Sequence, residues 1–182
     1  MHSARTLLSD EKLELCLERM CHQLVERFDG AFDAVVMVGL QTGGVALGQR
    51  MQTKLADIIG LDQVPPLGKL DITFYRDDFK QKNLSASAMD MPFLVENKQV
   101  VLIDDVLFTG RSISAALAAL SDYGRAQSID LLVLVDRCFQ RQLPIQPDIF
   151  GIVIDTMDEA YVEVALSHDK TGGTVLLFPK KQ

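Results

Sequence analysis

The chain has 182 residues, 48% of them hydrophobic and 24% charged, which is the composition of one globular domain with a substantial core. Its 18 lysines and arginines against 25 aspartates and glutamates give a net charge of −7, which argues against a general nucleic-acid binder. No apolar run approaches the length of a membrane span, and the amino terminus lacks the layout of a signal peptide. We therefore expect a single domain over residues 1–182 with no membrane partner.

The cysteines indicate a reducing compartment. Cys16, Cys21 and Cys138 are odd in number and form no CxxC pair, so neither a disulfide framework nor a zinc site is favoured. Reduced thiols are typical of proteins that work inside the cell. We therefore expect a cytoplasmic protein.

The pattern of apolar residues predicts helices and strands in alternation. A first helix follows Ser9, a residue typical of helix N-caps, and ends at Asp29-Gly30. The next elements are predicted as a strand at 34–39, a helix at 45–59, an edge strand at 70–75, a strand at 100–103, a helix at 113–120, strands at 129–135 and 149–154, and a hairpin of 161–166 with 174–178. This order predicts an α/β domain in which helices flank a mostly parallel sheet.

The strand predicted at 100–103 leads into two chemical features. Asp104 and Asp105 are adjacent carboxylates, which can accept hydrogen bonds from vicinal hydroxyls such as those of a ribose. Residues 109–112, Thr-Gly-Arg-Ser, then open a helix whose first N–H groups suit a phosphate. Either feature alone is more typical of an acidic strand end or a capped helix than of a ligand site. Together they predict a clamp for a ribose 5-phosphate.

Three segments carry a resemblance to a known family. Residues 100–112, VVLIDDVLFTGRS, resemble the phosphoribosyl pyrophosphate (PRPP) motif of type I phosphoribosyltransferases. Residues 70–78, LDITFYRDD, and residues 133–137, VLVDR, with Leu-Pro-Ile at 143–145, resemble the bifunctional pyrimidine operon regulators that are also uracil phosphoribosyltransferases. The resemblance implies the type I fold and the conversion of uracil and PRPP to UMP and diphosphate. It further implies Mg²⁺ held through PRPP without direct protein ligands, and a homodimer or higher homo-oligomer.

The resemblance also implies roles for individual residues. Asp104 and Asp105 would be the catalytic pair that holds the ribose. The PRPP-binding segment would continue through Val106, Leu107, Phe108, Thr109, Gly110, Arg111 and Ser112. The diphosphate loop would comprise Thr42, Gly43 and Gly44, with Arg76 as a substitute for the arginine that the family usually carries at position 43.

A lid and a base pocket would complete the site. Residues 77–98 would form a flexible lid over PRPP, in which Lys80 and Lys82 could reach diphosphate oxygens. Arg137 and Ile154 would belong to the base pocket, although Arg137 could equally be a structural salt-bridge partner.

Two other functions stay open at the level of sequence. The Gly43-Gly44 pair resembles purine-salvage enzymes, so the base could be a purine. The protein could also be an RNA-binding regulator that responds to UMP. In the segment 138–142, Cys-Phe-Gln-Arg-Gln, only Arg141 matches the basic pattern of those regulators, and the net charge of −7 opposes RNA binding.

Overall fold

The computed structural model describes residues 4–75, 90–154, 160–166 and 172–179. Its helices and strands are β1 (Arg5–Leu8), α1 (Asp10–Arg27), β2 (Val35–Leu40), α2 (Gly43–Ile59), β3 (Leu67–Leu70), β4 (Gln99–Leu107), α3 (Arg111–Leu120), β5 (Ser128–Arg137), β6 (Ile149–Ile154), β7 (Tyr161–Leu166) and β8 (Gly173–Phe178). Short 3-10 helices lie at Leu61–Gln63, Thr73–Tyr75, Ser121–Tyr123 and Cys138–Gln140. Of the helices so described, none has the length and apolar character needed to cross a membrane.

The central sheet confirms the predicted α/β architecture. Its five strands run in the order β3-β2-β4-β5-β6, and each neighbouring pair is parallel. Because the strands are parallel, their carboxyl ends lie at one edge of the sheet. The segments after β2, β4 and β5 therefore meet there, at the edge where sheets of this kind bind ligands.

Both faces of this sheet are buried, which explains why its strands are continuous apolar runs. Along β4, Val101 and Ile103 pack into a core formed with α1 and α2. Val100 and Leu102, which point the other way, pack into a second core with α3. The alternation of side chains along a strand thus divides the hydrophobic core into two layers.

A second, antiparallel sheet has the strand order β1-β8-β7. The pairing of β7 with β8 confirms the predicted terminal hairpin, whose connection lies outside the described residues. Strand β1 was not predicted, because it is short and its partner β8 lies at the other end of the chain. Val175 of β8 is completely buried, so this small sheet shares the core of α1 and α2.

The edge strand predicted at 70–75 is wrong in its bounds. β3 ends at Leu70, and Thr73–Tyr75 forms a 3-10 helix. The buried Asp71 carboxylate accepts hydrogen bonds from the backbone N–H and the hydroxyl of Thr73. This local bond turns the chain away from the sheet, as aspartate commonly does at turns.

A cluster of charged groups links the second sheet to α1 and α2. The Arg50 side chain, 5% exposed, forms an ion pair with Glu14 and donates a hydrogen bond of 2.9 Å to the Gly172 carbonyl. Glu14 also accepts a bond of 2.7 Å from Lys54 and one of 3.1 Å from the Gly172 N–H. Burial pushes the pKa of Glu14 up, but Lys54, Gly172 and Arg50 together hold it below its usual 4.5.

We predict that Glu14→Gln lowers the free energy of unfolding at pH 7 by about 2–4 kcal/mol, because it leaves the buried Arg50 without its carboxylate. Since the pKa of Glu14 is lower in the folded state, its contribution is complete above about pH 4.5 and is lost as the pH falls below that value. Urea denaturation at pH 7 and pH 4 measures both effects. Glu18→Gln, an exposed change on the same helix, is the control, and equal losses for the two variants would contradict the prediction.

Candidate active site

The sequence suggested that the acidic pair lies at the end of a strand. In the structure both residues lie within β4. β4 continues to Leu107, and Asp104 pairs in register with Val133 of β5. Asp104 lies two and four residues after Leu102 and Val100, so its side chain points to the same face of the sheet as theirs, toward α3. The side chain of Asp105 points to the opposite face, toward α2. The two carboxylates are therefore directed toward the starts of two different helices.

Local hydrogen bonds hold both carboxylates. Asp104 Oδ1 accepts a bond of 3.0 Å from the Asp105 N–H, and Asp105 Oδ1 accepts one of 2.9 Å from the Val106 N–H. Burial raises the pKa of Asp105 above its usual 3.8, against the lowering effect of these bonds. A half-buried carboxylate with a raised pKa is typical of a functional site.

The segment after β4 forms an anion cradle at the start of α3. Gly110 adopts φ = +90°, a left-handed conformation that favours glycine, and the helix begins at the next residue. A cavity of about 280 Å³ opens in front of it. The cavity is lined by Asp104, the segment from Val106 to Ile113, and Gln142. The structure thus brings Asp104 and the predicted phosphate-binding residues Thr109–Ser112 to one cavity.

The glycine loop lies beside this cavity, at the start of α2. Thr42 is the N-cap of α2, and the Gln41–Thr42 peptide bond is cis. A side chain at Gly44 would overlap the backbone carbonyl of Ile103 in β4, so α2 can approach the sheet this closely only at a glycine. A side chain at Gly43 would instead overlap the carboxylate of Asp105. The predicted diphosphate loop and the acidic pair are therefore in direct contact.

The predicted base pocket contains a guanidinium group with unused donors. Arg137 is 6% exposed, its Cζ lies 4.1 Å from the centroid of the Phe108 ring, and it pairs in register with Ile154 of β6. Within the described residues, Arg137 Nε and Nη2 are buried without a hydrogen-bond partner. Burial accordingly lowers the pKa of Arg137 below its usual value. The neighbouring carboxylate, Asp136, pairs with Arg141, so among the described residues Arg137 has no salt bridge.

Two parts of the predicted site are described incompletely. Arg76, and with it residues 77–89 of the predicted lid, lie outside the described residues. Residues 90–98 pack against the domain: Asp90 pairs with Lys69, and the buried Val95 donates a backbone hydrogen bond of 3.0 Å to the Tyr123 carbonyl.

Sequence reasoning missed two contributors to the cavity. Arg141 donates a hydrogen bond of 2.8 Å to the Phe108 carbonyl, and the Gln142 N–H donates one of 3.0 Å to the Thr109 carbonyl. Both residues were considered only for RNA binding, since nothing in their spacing ties them to a loop more than thirty positions earlier.

Cavity size would not have located the site either. A larger cavity of about 550 Å³ lies between the amino ends of β2 and β4 and Pro65-Pro66, away from every motif residue.

Comparison with known proteins defines the class. The family model described as the phosphoribosyl transferase domain matches residues 3–169, and the chain therefore belongs to the phosphoribosyltransferase family. It is 42% identical to the Bifunctional protein PyrR of Geobacter sp. strain M21, over 94% of this chain and 96% of the relative. The Bifunctional protein PyrR of Bacillus mycoides is 39% identical, with coverages of 99% and 100%. The family resemblance seen in the motifs is thereby confirmed.

Solved structures confirm the fold. The hypoxanthine phosphoribosyltransferase of Trypanosoma cruzi superposes with a TM-score of 0.68 at 16% identity, covering 97% of this chain and 97% of that one. The HGPRT-ase of Leishmania tarentolae gives a TM-score of 0.67 at 17% identity, with coverages of 100% and 99%. At such identities the likeness concerns the fold and not the base.

We predict opposite outcomes for two neighbouring substitutions in the glycine loop. Gly44→Ala should lower the unfolding midpoint by several degrees, because its methyl group meets a strand carbonyl and overpacking costs about 1–3 kcal/mol. Gly43→Ala meets only a movable carboxylate, so it should leave the midpoint within about two degrees while displacing Asp105. Thermal denaturation and ligand titration with PRPP separate the two effects. Equal destabilisation by both changes would contradict this account of the loop.

Proposed function

We propose that the protein transfers the phosphoribosyl group of PRPP to uracil, forming UMP and diphosphate. The observation that carries the proposal is one cavity that contains both Asp104 and the start of α3. A carboxylate that accepts hydroxyl hydrogen bonds and a helix start that binds phosphate are the two groups that a ribose 5-phosphate requires.

In this proposal the parts of PRPP are distributed over three segments. The 5-phosphate lies at the cradle of Thr109–Ser112, where N–H groups at the helix start face the anion. Asp104 and Asp105 hold the ribose hydroxyls. The diphosphate lies at the start of α2, beside Thr42, Gly43 and Gly44, where the absence of side chains permits a close approach of the backbone.

The base would lie against Phe108, Arg137 and Ile154. Arg137 has buried N–H groups without partners in the described part of the chain, and a carbonyl oxygen of uracil would satisfy one of them. The Phe108 ring offers an apolar face against which a planar base can stack. Identities of about 40% to Bifunctional protein PyrR support the pyrimidine implied by the motifs over a purine.

Mg²⁺ fits this site as a partner of PRPP. Across residues 4–75, 90–154, 160–166 and 172–179, no three His, Cys, Asp or Glu side chains converge as a metal-ligand set. In this proposal Asp104 and Asp105 are engaged with the ribose, so Mg²⁺ would take its oxygen ligands from PRPP and water, as this hard cation prefers. When bound, Mg²⁺ would neutralise charge on the diphosphate leaving group.

The chain's own contribution to the reaction is binding and orientation. The cradle and the acidic pair would fix the ribose between the base and the diphosphate, so that the anomeric carbon faces the attacking nitrogen. As the bond to diphosphate weakens, positive charge develops on the ribose, and the neighbouring carboxylates stabilise it. N–H groups at the start of α2 stabilise the departing diphosphate. No covalent intermediate with the protein is required.

The fold gives less support to RNA binding. Arg141, the one residue that matches the basic pattern of the regulators, is engaged by Asp136 and the Phe108 carbonyl and is only 15% exposed. It is therefore poorly placed to neutralise a nucleic-acid phosphate.

We propose enzyme activity as the main function, in a cytoplasmic homodimer or higher homo-oligomer. Cys16, Cys21 and Cys138 form no disulfide in the described part of the chain, and this and the 58% exposed Phe139 are consistent with that setting.

Replacing both carboxylates tests the proposed reaction. We predict that Asp104→Asn with Asp105→Asn lowers the rate of UMP formation by on the order of 10²-fold or more, because the ribose loses its charged acceptors. The fold should persist, since both positions are half-buried and asparagine is isosteric. The matched control replaces the exposed Asp57 and Asp62 by asparagine. Near-normal turnover of the first variant would contradict the assignment.

Arg137→Met tests the base pocket in a panel of uracil, hypoxanthine and guanine. We predict that wild type uses uracil, and that the variant raises KM for uracil by about 10–100-fold, the value of a hydrogen bond to a charged group. KM for PRPP should change less than about threefold. Thermal stability should stay equal or rise, because an unpartnered buried cation is removed.

Arg125→Met is the control. Use of purines alone would overturn the choice of base, and a marked loss of stability would indicate a structural role for Arg137.

A further inference from the structure

Arg141 connects strand β5 with the loop between β4 and α3. Its Nη1 donates a hydrogen bond of 2.8 Å to the carbonyl of Phe108, the residue directly before Thr109–Ser112. Its Nη2 forms an ion pair with Asp136 near the end of β5. The planar guanidinium of arginine can reach two acceptors at once in a fixed geometry, which the single ammonium of lysine cannot do.

The next residues extend this contact along the loop. The Gln142 N–H donates to the Thr109 carbonyl at 3.0 Å, so consecutive residues bind consecutive carbonyls of the cradle. Leu143 and Ile145 then lie close to Gly110, where a side chain at that glycine would come within 3.3 Å of Ile145. The cradle is therefore held from outside, by the chain segment after β5.

The ion pair also determines the charge around the cavity. Asp136 pairs in register with Leu107, two residues before Thr109, and its side chain is 13% exposed. An uncompensated carboxylate in this place would repel an anionic phosphate and would be costly to bury. Arg141 neutralises it. Although Asp136 directly precedes Arg137 in the chain, it pairs with Arg141, and Arg137 Nε and Nη2 have no hydrogen-bond partner among the described residues.

We propose that Arg141 is a positioning residue for the 5-phosphate of PRPP, which acts through the Phe108 carbonyl and the Asp136 carboxylate and not by touching the substrate. This inference rests on the proposed function, because it takes the cradle at α3 to be the phosphate site. It gives Arg141 a role in substrate binding that is separate from nucleic-acid recognition.

The test compares two anions that the site would bind in different places. Ribose 5-phosphate should occupy the cradle that Arg141 holds, whereas inorganic diphosphate with Mg²⁺ should occupy the loop at α2. Calorimetric titration of Arg141→Gln is expected to show affinity for ribose 5-phosphate reduced at least tenfold and affinity for diphosphate changed less than threefold. Equal losses for both anions, or no loss for ribose 5-phosphate, would overturn the proposal.

Further variants separate positioning from stability. Arg141→Lys should recover part of the affinity, since lysine retains the charge and one of the two contacts. Asp136→Asn combined with Arg141→Gln should bind ribose 5-phosphate no more weakly than Arg141→Gln alone, because it also removes the carboxylate that the single change leaves without its partner. Arg125→Gln, which removes an exposed cation outside the site, should bind like wild type. A further tenfold loss in the double variant would overturn the proposal. If Arg141→Gln is too unstable to titrate, Arg141→Lys decides the question, and an affinity of that variant for ribose 5-phosphate equal to that of wild type would overturn the proposal.

Kinetics separates this proposal from the proposed function. If wild type forms UMP, Arg141→Gln should raise KM for PRPP at least tenfold, with kcat and KM for uracil within about threefold. A fall in kcat at unchanged KM for PRPP would assign Arg141 to the chemical step and overturn the positioning role. If wild type forms no nucleotide from any base, the proposed function fails, whereas the titrations with ribose 5-phosphate and diphosphate still decide the role of Arg141.

Discussion

Helix α2 begins in contact with the backbone of β4, and the geometry of the site depends on this close approach. A glycine is required at position 44 because the Ile103 carbonyl occupies the space of a side chain. The same approach brings Gly43 against the carboxylate of Asp105. The start of α2 thus lies beside the acidic pair of β4. Only a parallel sheet covered on both faces holds these segments at one edge.

The electrostatics of the site explain how a protein with a net charge of −7 can suit an anionic substrate. The proposed phosphate contacts are backbone N–H groups at the starts of α2 and α3, which do not enter a count of charged side chains. Of the acidic groups at this edge, Asp136 is neutralised by Arg141. In the proposed binding mode, Asp104 and Asp105 accept hydrogen bonds from ribose hydroxyls and do not meet phosphate groups. The net charge of a protein therefore predicts its solubility and non-specific binding better than it predicts the ligand of one site.

Two features of the site are unfavourable for stability taken alone. Arg137 is buried with donors unused in the described part of the chain, and burial raises the pKa of Asp105 above its usual value. Other buried charges have a partner of opposite sign, as in the ion pairs of Arg50 with Glu14 and of Asp130 with Arg27. Such exceptions to the pairing of buried charge are expected where a ligand completes the contacts. They also coincide with the residues at which the sequence motifs predict substrate binding.

The sequence by itself determined the α/β class, most of the strands and the segment 104–112. These follow from local patterns: apolar runs covered on both faces, glycine at a positive φ, and carboxylates next to a helix start. Tertiary structure decided the rest. It set the end of β3, where Asp71 binds Thr73, and the pairing of β1 with β8. It also joined Arg141 and Gln142 to the predicted phosphate cradle and left two donors of Arg137 without a partner among the described residues. These features depend on contacts between distant residues, and no spacing within one segment encodes which of two neighbouring arginines binds Asp136.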